Sequence, residues 1–245
     1  MSSLAWLRLI FVFLAFLAQE LIAASAFAQN TSGVSNPNIT EGRRDFGYRL
    51  SVEPTGGSDD FAHRFDYGHS FSDRTRMKFV VTQNNKNGDI KIRHFQTEAQ
   101  YQFRKVQEGW NSAVQVQGRI PTADNVSGRA RFAWLNSIDL SPRVELRANV
   151  YAAKEVGDLA KKGIRLETRS ELTVSDVRQM RVGVQMFNRY NTTAAFGDFN
   201  DQSHQVGPIV RGRIANDLSY GVGALFGISR AASDAEFRIF LGYSL

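Results

Sequence analysis

The ten residues from Phe95 to Arg104 read Phe-Gln-Thr-Glu-Ala-Gln-Tyr-Gln-Phe-Arg. Every second residue, beginning with Phe95, is apolar or small, and every residue between them is glutamine, glutamate or arginine. Successive side chains of a β-strand point to opposite faces, so this period of two predicts a strand with one apolar and one polar face. The stretch from Ile164 to Val174 repeats the pattern, with arginine and glutamate on its polar side. Each is long enough to cross a bilayer as a tilted strand.

Ten further segments alternate in the same way, and a helical period is not convincing anywhere in them. The sequence therefore predicts an all-β protein of about twelve strands. Ten or fourteen strands are alternatives, because the first segment and the region around Asn136 alternate least clearly. The ten segments are Phe46 to Glu53, Phe61 to Phe71, Arg76 to Gln83, Trp110 to Ile120, Arg129 to Ile138, Val144 to Ala153, Gln179 to Tyr190, Gln205 to Ile214, Ser219 to Ile228 and Glu236 to Leu245.

The connectors between these segments alternate in length. Tight turns are expected at 72–75, 139–142, 175–178 and 215–218, and longer loops at 54–60, 84–89, 121–127, 156–162 and 191–203. Short turns at one rim and long loops at the other are typical of an antiparallel up-and-down transmembrane β-barrel. An even number of strands then places both termini at the short-turn, periplasmic rim.

Charge separates the two faces of the predicted strands. The apolar positions hold no Asp, Glu, Lys or Arg, whereas the opposite positions are rich in arginine. A soluble sandwich would bury the apolar set as its core, and a membrane barrel would turn it toward lipid. Residues such as Thr97, Ala99, Gly118 and Ser170 fill a core loosely but suit a lipid-facing wall, and aromatic residues collect near strand ends as in interfacial girdles. We therefore predict apolar side chains outside and charged side chains inside.

The chain ends on an alternating strand in which Phe237, Ile239, Leu241, Tyr243 and Leu245 share one face. This ending resembles the C-terminal signal of Gram-negative outer-membrane proteins, although leucine replaces the usual terminal phenylalanine. The resemblance implies the outer membrane as the location. It also implies lipid, lipopolysaccharide and the outer-membrane assembly machinery as partners, the last through the C-terminal strand.

The N-terminus predicts export. Arg8 precedes the apolar run Leu9 to Ala18, and Ala26-Phe27-Ala28 is a small-x-small cleavage site. The sequence thus divides into a cleaved signal peptide at 1–28, a flexible periplasmic lead-in at 29–45 and an outer-membrane barrel at 46–245.

Composition excludes several classes of function. The chain has no cysteine, which rules out disulfides and thiolate metal sites, and its mean hydropathy of −0.30 rules out a bundle of membrane helices. The net charge is +6, but the basic residues are spread over many strands, on the polar face of each, and form no basic patch interleaved with aromatics. Nucleic acid is therefore not an expected partner. We expect no cofactor and no metal site.

The predicted lumen is lined mainly by arginine. A twelve-strand barrel leaves room for a narrow pore, and arginines in a confined pore favour anions because the guanidinium fork matches carboxylate, sulfate or phosphate. In this respect the chain resembles the small monomeric porins for acidic oligosaccharides, which implies a monomer that passes small anions. The predicted pore-lining residues are Arg64, Arg104, Arg119, Arg131, Arg147, Arg165, Arg169, Arg181, Arg211, Arg213 and Arg238.

Three alternatives stay open. Arginine and glutamate on neighbouring strands could pair and brace a closed structural barrel. The loop at 191–203, with Phe196 and Phe199, could serve adhesion. An outer-membrane enzyme acting on lipid or lipopolysaccharide is the third, but no catalytic motif surrounds His63, His69, His94 or His204, so we do not expect an enzyme.

Overall fold

The computed structural model describes residues 31–54, 60–86, 89–122, 127–175 and 180–245. The predicted signal peptide lies outside these residues. Within them, no helix is long and apolar enough to cross a membrane, a finding that does not bear on strands.

Twelve strands form where the alternating pattern predicts them. Each contains its predicted segment to within about two residues at either end, and β4 is longer because pairing with β3 extends it toward Asp89. The strands are β1 Arg44–Glu53, β2 Asp60–Ser70, β3 Thr75–Lys86, β4 Asp89–Arg104, β5 Trp110–Pro121, β6 Gly128–Ser141, β7 Val144–Val156, β8 Arg165–Ser175, β9 Arg181–Thr192, β10 Ser203–Arg213, β11 Leu218–Gly227 and β12 Ala235–Ser244.

The sheet closes on itself. Each strand pairs antiparallel with its neighbours in sequence, and β1 pairs with β12, with Phe46 opposite Tyr243 and Val52 opposite Phe237. Closure leaves no unpaired strand edge, which is what a strand-built protein needs in lipid. The predicted antiparallel barrel of twelve strands is confirmed.

The barrel has two distinct rims. We call the rim where β1 begins and β12 ends the terminal rim, and the opposite rim the loop rim. Long connectors such as 157–164 and 193–202 lie at the loop rim, as predicted. The long connector expected at 84–89 is wrong, because strand pairing continues until Lys86 lies opposite Asp89.

The faces have the predicted orientation. Phe79 on the outer wall is 56% exposed, whereas Glu98 on the neighbouring strand faces the lumen and is 6% exposed. Large apolar side chains such as Phe95, Phe132 and Val184 are likewise exposed outside. A closed wall with this much apolar surface is stable only against hydrocarbon, so the fold is that of an outer-membrane β-barrel.

Residues 31–43 precede β1 and take an unexpected position. The sequence predicts a loose periplasmic lead-in, but Thr31, Val34 and Ile39 are buried among side chains that line the lumen. The segment from Thr31 to Ile39 is called the lumen strand segment below, although it forms no ladder with the barrel strands. Its polar backbone can enter the barrel because lumen-facing side chains supply hydrogen bonds to it.

Candidate functional site

The alternation of the strands carries most of the predicted arginines into the lumen. Ten of the eleven occupy lumen-facing positions or the mouth of the lumen, and one does not. They fall into two groups at different heights, one toward the loop rim and one toward the terminal rim. The lumen between the groups is lined by glutamine, glutamate, further arginines, a lysine and the lumen strand segment.

The loop-rim vestibule is a cavity of about 390 Å³. Arg165 at the start of β8 pairs with Glu155 at 2.5 Å, and Arg169 pairs with Glu167 at 2.7 Å. These two carboxylates face a larger set of cations, so the cavity has a positive surplus. The basic residues that line it are Arg64, Arg93, Arg119, Arg129, Lys161, Arg165, Arg169 and Arg189.

Four of these arginines form no salt bridge with any residue that the structure describes. They are Arg93 on β4, Arg119 on β5, Arg129 on β6 and Arg189 on β9, and all are only partly exposed. The Nε atom of Arg119 is buried without a hydrogen-bond partner among the described residues. Guanidinium groups in this state are free to bind carboxylate, sulfate or phosphate oxygens in a bidentate manner.

The cavity at the terminal rim has a volume of about 440 Å³, and six of the eight basic residues that line it have a salt-bridge partner. Arg147 makes two hydrogen bonds of 2.9 Å to Glu145, and Arg181 also contacts Glu145. Arg211 binds both carboxylate oxygens of Glu171, at 3.1 and 2.9 Å. Arg147–Glu145 lies within β7, whereas Arg181–Glu145 joins β9 to β7 and Arg211–Glu171 joins β10 to β8, so ion pairs between strands brace this half of the lumen.

Further ion pairs connect β2, β3 and β4 in the middle of the barrel. Arg64 donates to Glu98 at 2.9 Å and to Asp66 at 3.4 Å, and Lys78 contacts Asp66 at 3.1 Å. These residues adjoin a smaller cavity of about 210 Å³, which shares Arg64 with the loop-rim vestibule and Lys78 with the terminal-rim cavity. The cavities therefore follow one another along the barrel axis.

Arg131, Arg169 and Arg238 are held against aromatic rings. Arg131 and Arg169 each lie 4.5 Å from the centre of the Tyr151 ring, and Arg238 lies 4.5 Å from that of Phe187. Cation–π contact stabilises a desolvated guanidinium without neutralising its charge. These side chains form a fixed, positively charged layer across the lumen.

Arg104 is not a lumen residue. A β-bulge between Gln102 and Arg104 shifts the register, so that Arg104 lies opposite Ser112 on the outer wall. There its Nε donates to the carbonyl of Trp110 at 2.8 Å and its guanidinium lies 4.9 Å from the centre of the Trp110 ring. The prediction for this residue is corrected, because the bulge reverses the face that strict alternation assigns to it. Arg213 lies at the mouth of the terminal rim and is exposed.

The four histidines do not cluster in one site. His63 and His69 are on the outer wall, where His63 Nδ1 bonds the hydroxyl of Tyr48 at 2.9 Å. His94 lines the loop-rim vestibule, and His204 bonds Asn188 at 2.9 Å on the outer wall. Among the described residues, no group of His, Asp or Glu is arranged to hold a metal ion.

Sequence reasoning missed two parts of the lining. Glutamines on β4 and β5, such as Gln102 and Gln115, are buried in the lumen and bind the lumen strand segment or neighbouring carboxylates. Their alternation with apolar residues was the available signal. The lumen strand segment has no periodic signal, because it lies in no strand.

The fold resembles solved outer-membrane porins. The NanC porin matches with a TM-score of 0.62 and 10% identity, over 82% of this chain and 100% of that one. The KdgM porin matches with a TM-score of 0.58 and 11% identity, over 82% and 99%. A KdgM porin in complex with disordered oligogalacturonate gives 0.59 and 9%, over the same shares. No protein-family model and no curated protein sequence matches the chain. The predicted likeness to small porins is thus confirmed in architecture, and the chain has the porin-like fold of an outer-membrane β-barrel.

Proposed function

We propose that the protein is a narrow, monomeric channel that prefers small anions, acidic oligosaccharides among them. The observation that carries this proposal is the loop-rim vestibule, where Arg119, Arg129 and Arg189 have no salt-bridge partner among the described residues. Uncompensated cations in a confined cavity attract anions and repel cations. A structural barrel gains no stability from leaving these charges unpaired.

Carboxylated sugars suit this lining better than inorganic anions alone. Each guanidinium can bind one carboxylate through two parallel hydrogen bonds, and several arginines at different heights can bind successive sugar units. The solved KdgM porin with oligogalacturonate supports this choice of solute, since it is a similar barrel with an acidic oligosaccharide. We also propose that the chain is not an enzyme.

Recordings in planar bilayers test the proposal. Purified full-length protein, folded in detergent, is inserted and its reversal potential is measured in a KCl gradient. We expect unitary currents that prefer chloride, either in the resting protein or once trigalacturonate is added. Cation preference, or silence in both conditions from protein whose gel mobility still changes on boiling, would overturn the channel.

A closed bracing barrel is the second candidate. Its supporting observation is the set of ion pairs around Glu145 and Glu171 together with the lumen strand segment across the cavity. The same recordings separate the two, because a braced barrel that is closed gives no unitary current.

A further inference from the structure

The lumen strand segment spans the lumen from the middle layer to the terminal rim. Near its start, the carbonyl of Ser32 accepts from Arg238 at 2.7 Å, and near its end the backbone N–H of Ile39 donates to Gln102 at 2.9 Å. Along its length the segment lines all three cavities, with Ser32 at the loop-rim vestibule, Val34 and Ser35 at the smaller cavity and Ile39 at the terminal-rim cavity. The segment therefore occupies the path that a solute would take.

Side chains of the wall hold this segment, and strand pairing does not. Its carbonyls accept from Arg49, Arg169, Asn149 and Gln100 at 2.9 to 3.3 Å, and within the described part of the chain no backbone–backbone hydrogen bond joins residues 31–39 to a barrel strand. The principal apolar anchor is Val34, which packs with Phe187 and Leu225. The segment can consequently leave without breaking the ladder of the barrel.

The contacts of the segment imitate those of an anion. Three lumen arginines that line the proposed path, Arg49, Arg169 and Arg238, donate to its carbonyl oxygens. The segment carries no charged side chain, so it adds no negative charge to these guanidinium groups, of which Arg169 also pairs with Glu167. A carboxylate binds guanidinium more strongly than a neutral carbonyl does, because it is negatively charged and can accept two parallel hydrogen bonds. An anionic solute is therefore the stronger ligand for the same donors.

A pivot lies at the terminal rim. Gly42 has a φ of +69°, which glycine tolerates and other residues rarely adopt, and no atom lies within 4 Å of where its Cβ would be. Gly42 N–H donates to the Ser70 carbonyl at 3.1 Å, and just beyond it Ser70 N–H donates to the Arg43 carbonyl at 2.9 Å. Rotation at Gly42 would break the first of these bonds and release the segment through the terminal rim, while the second keeps β1 in place.

We propose that the lumen strand segment is a displaceable plug, which closes the lumen at rest and gives way to solutes carrying several carboxylates. This inference rests on the proposed anion channel and adds a means by which its solute regulates it. Binding of the solute to Arg49, Arg169 and Arg238 replaces the carbonyls of Thr31, Gly33 and Ser32, and the freed segment swings about Gly42.

A reversible tether tests the plug. The chain has no cysteine, so thiols introduced in Asn38→Cys/Gln102→Cys are unique, and the native side chains at these positions are 3.1 Å apart. A short bis-thiosulfonate reagent bridges them in the full chain and a reductant releases the bridge. We expect trigalacturonate to raise the macroscopic anion current of the reduced protein and to leave the bridged protein closed. Equal currents in the bridged and reduced states would overturn the plug.

Two companion measurements separate this proposal from the channel itself. The single variant Asn38→Cys, treated with a monofunctional thiosulfonate, must still respond to trigalacturonate, since it cannot be tethered. Deletion of residues 31–39 must give a constitutive, anion-selective current in protein whose mobility changes on boiling. If the protein without residues 31–39 gives no current, both the proposed channel and the proposed plug are refuted. If it conducts, but trigalacturonate does not change the current of the reduced double variant, only the proposed displacement of the plug is refuted.

Discussion

The two ends of the lumen contain similar residues in different states. At the terminal rim, Arg147, Arg181 and Arg211 are neutralised by Glu145 and Glu171, whose carboxylates are buried. In the loop-rim vestibule, arginines outnumber carboxylates and several have no salt-bridge partner in the described ranges. Buried pairs lock strands together, whereas unpaired cations raise the local potential. We infer that the terminal half braces the barrel and the loop-rim half selects the solute.

Removing a bracing carboxylate should have the largest effect. Glu171→Ala leaves Arg211 and Arg147 without this partner, and we expect the free energy of unfolding to fall by about 3 kcal/mol, the low end for a broken buried ion pair. The low end applies because the Arg211 side chain is 24% exposed. Urea unfolding in lipid vesicles measures the change. The matched variant Arg119→Ala should change stability little. Equal losses of unfolding free energy in the two variants would contradict the proposed difference between the halves.

The second largest effect is expected on ion selectivity, when arginines of the loop-rim half are neutralised. A unit charge about 4 Å from a passing ion contributes ~1 kcal/mol even in water-like dielectric, so Arg119→Gln/Arg129→Gln should lower the anion-to-cation permeability ratio by about tenfold after screening. Reversal potentials in a KCl gradient give the ratio. Arg211→Gln/Glu171→Gln serves as the control in the braced half, because it removes a paired cation and anion together and leaves the net charge unchanged. A shift in this control as large as in Arg119→Gln/Arg129→Gln would contradict the assignment.

Salt should weaken solute binding in the loop-rim half and have little effect on the ion pairs of the terminal half. Raising KCl from ~0.1 M to ~1 M shortens the Debye length from about 10 Å to 3 Å. We expect the concentration of trigalacturonate needed for a half-maximal change in current to rise several-fold, because the vestibule arginines are open to water. The difference in unfolding free energy between wild type and Glu171→Ala should change much less, since the buried pair is poorly screened. A half-maximal concentration that is independent of salt would argue against charge as the basis of recognition.

The smallest effect is expected at Arg104. Its guanidinium lies on the outer wall against Trp110, so Arg104→Gln should leave the permeability ratio unchanged. The same reversal-potential measurement applies. A loss of anion preference comparable with that of Arg129→Gln would place Arg104 back in the lumen and refute the bulge.

Local pattern predicted most of this site. The period of two in each strand, as in Phe95 to Arg104, assigns a face to each residue without knowledge of its neighbours. It therefore placed Arg64, Arg131 and Arg238 in the lumen correctly. It failed at Arg104, where a bulge inserts one residue and reverses the face, since a bulge depends on pairing with the next strand.

The amino-acid sequence alone determined the number of strands, their faces and the arginine character of the lumen, because all three follow from periodicity along single strands. Tertiary structure decided which arginines are neutralised. Glu171 meets Arg211 from two strands away, a distance of forty residues in sequence that no local pattern encodes. It also decided that residues 31–39 enter the barrel, since a segment without periodicity acquires a position only from the hydrogen-bond donors that surround it.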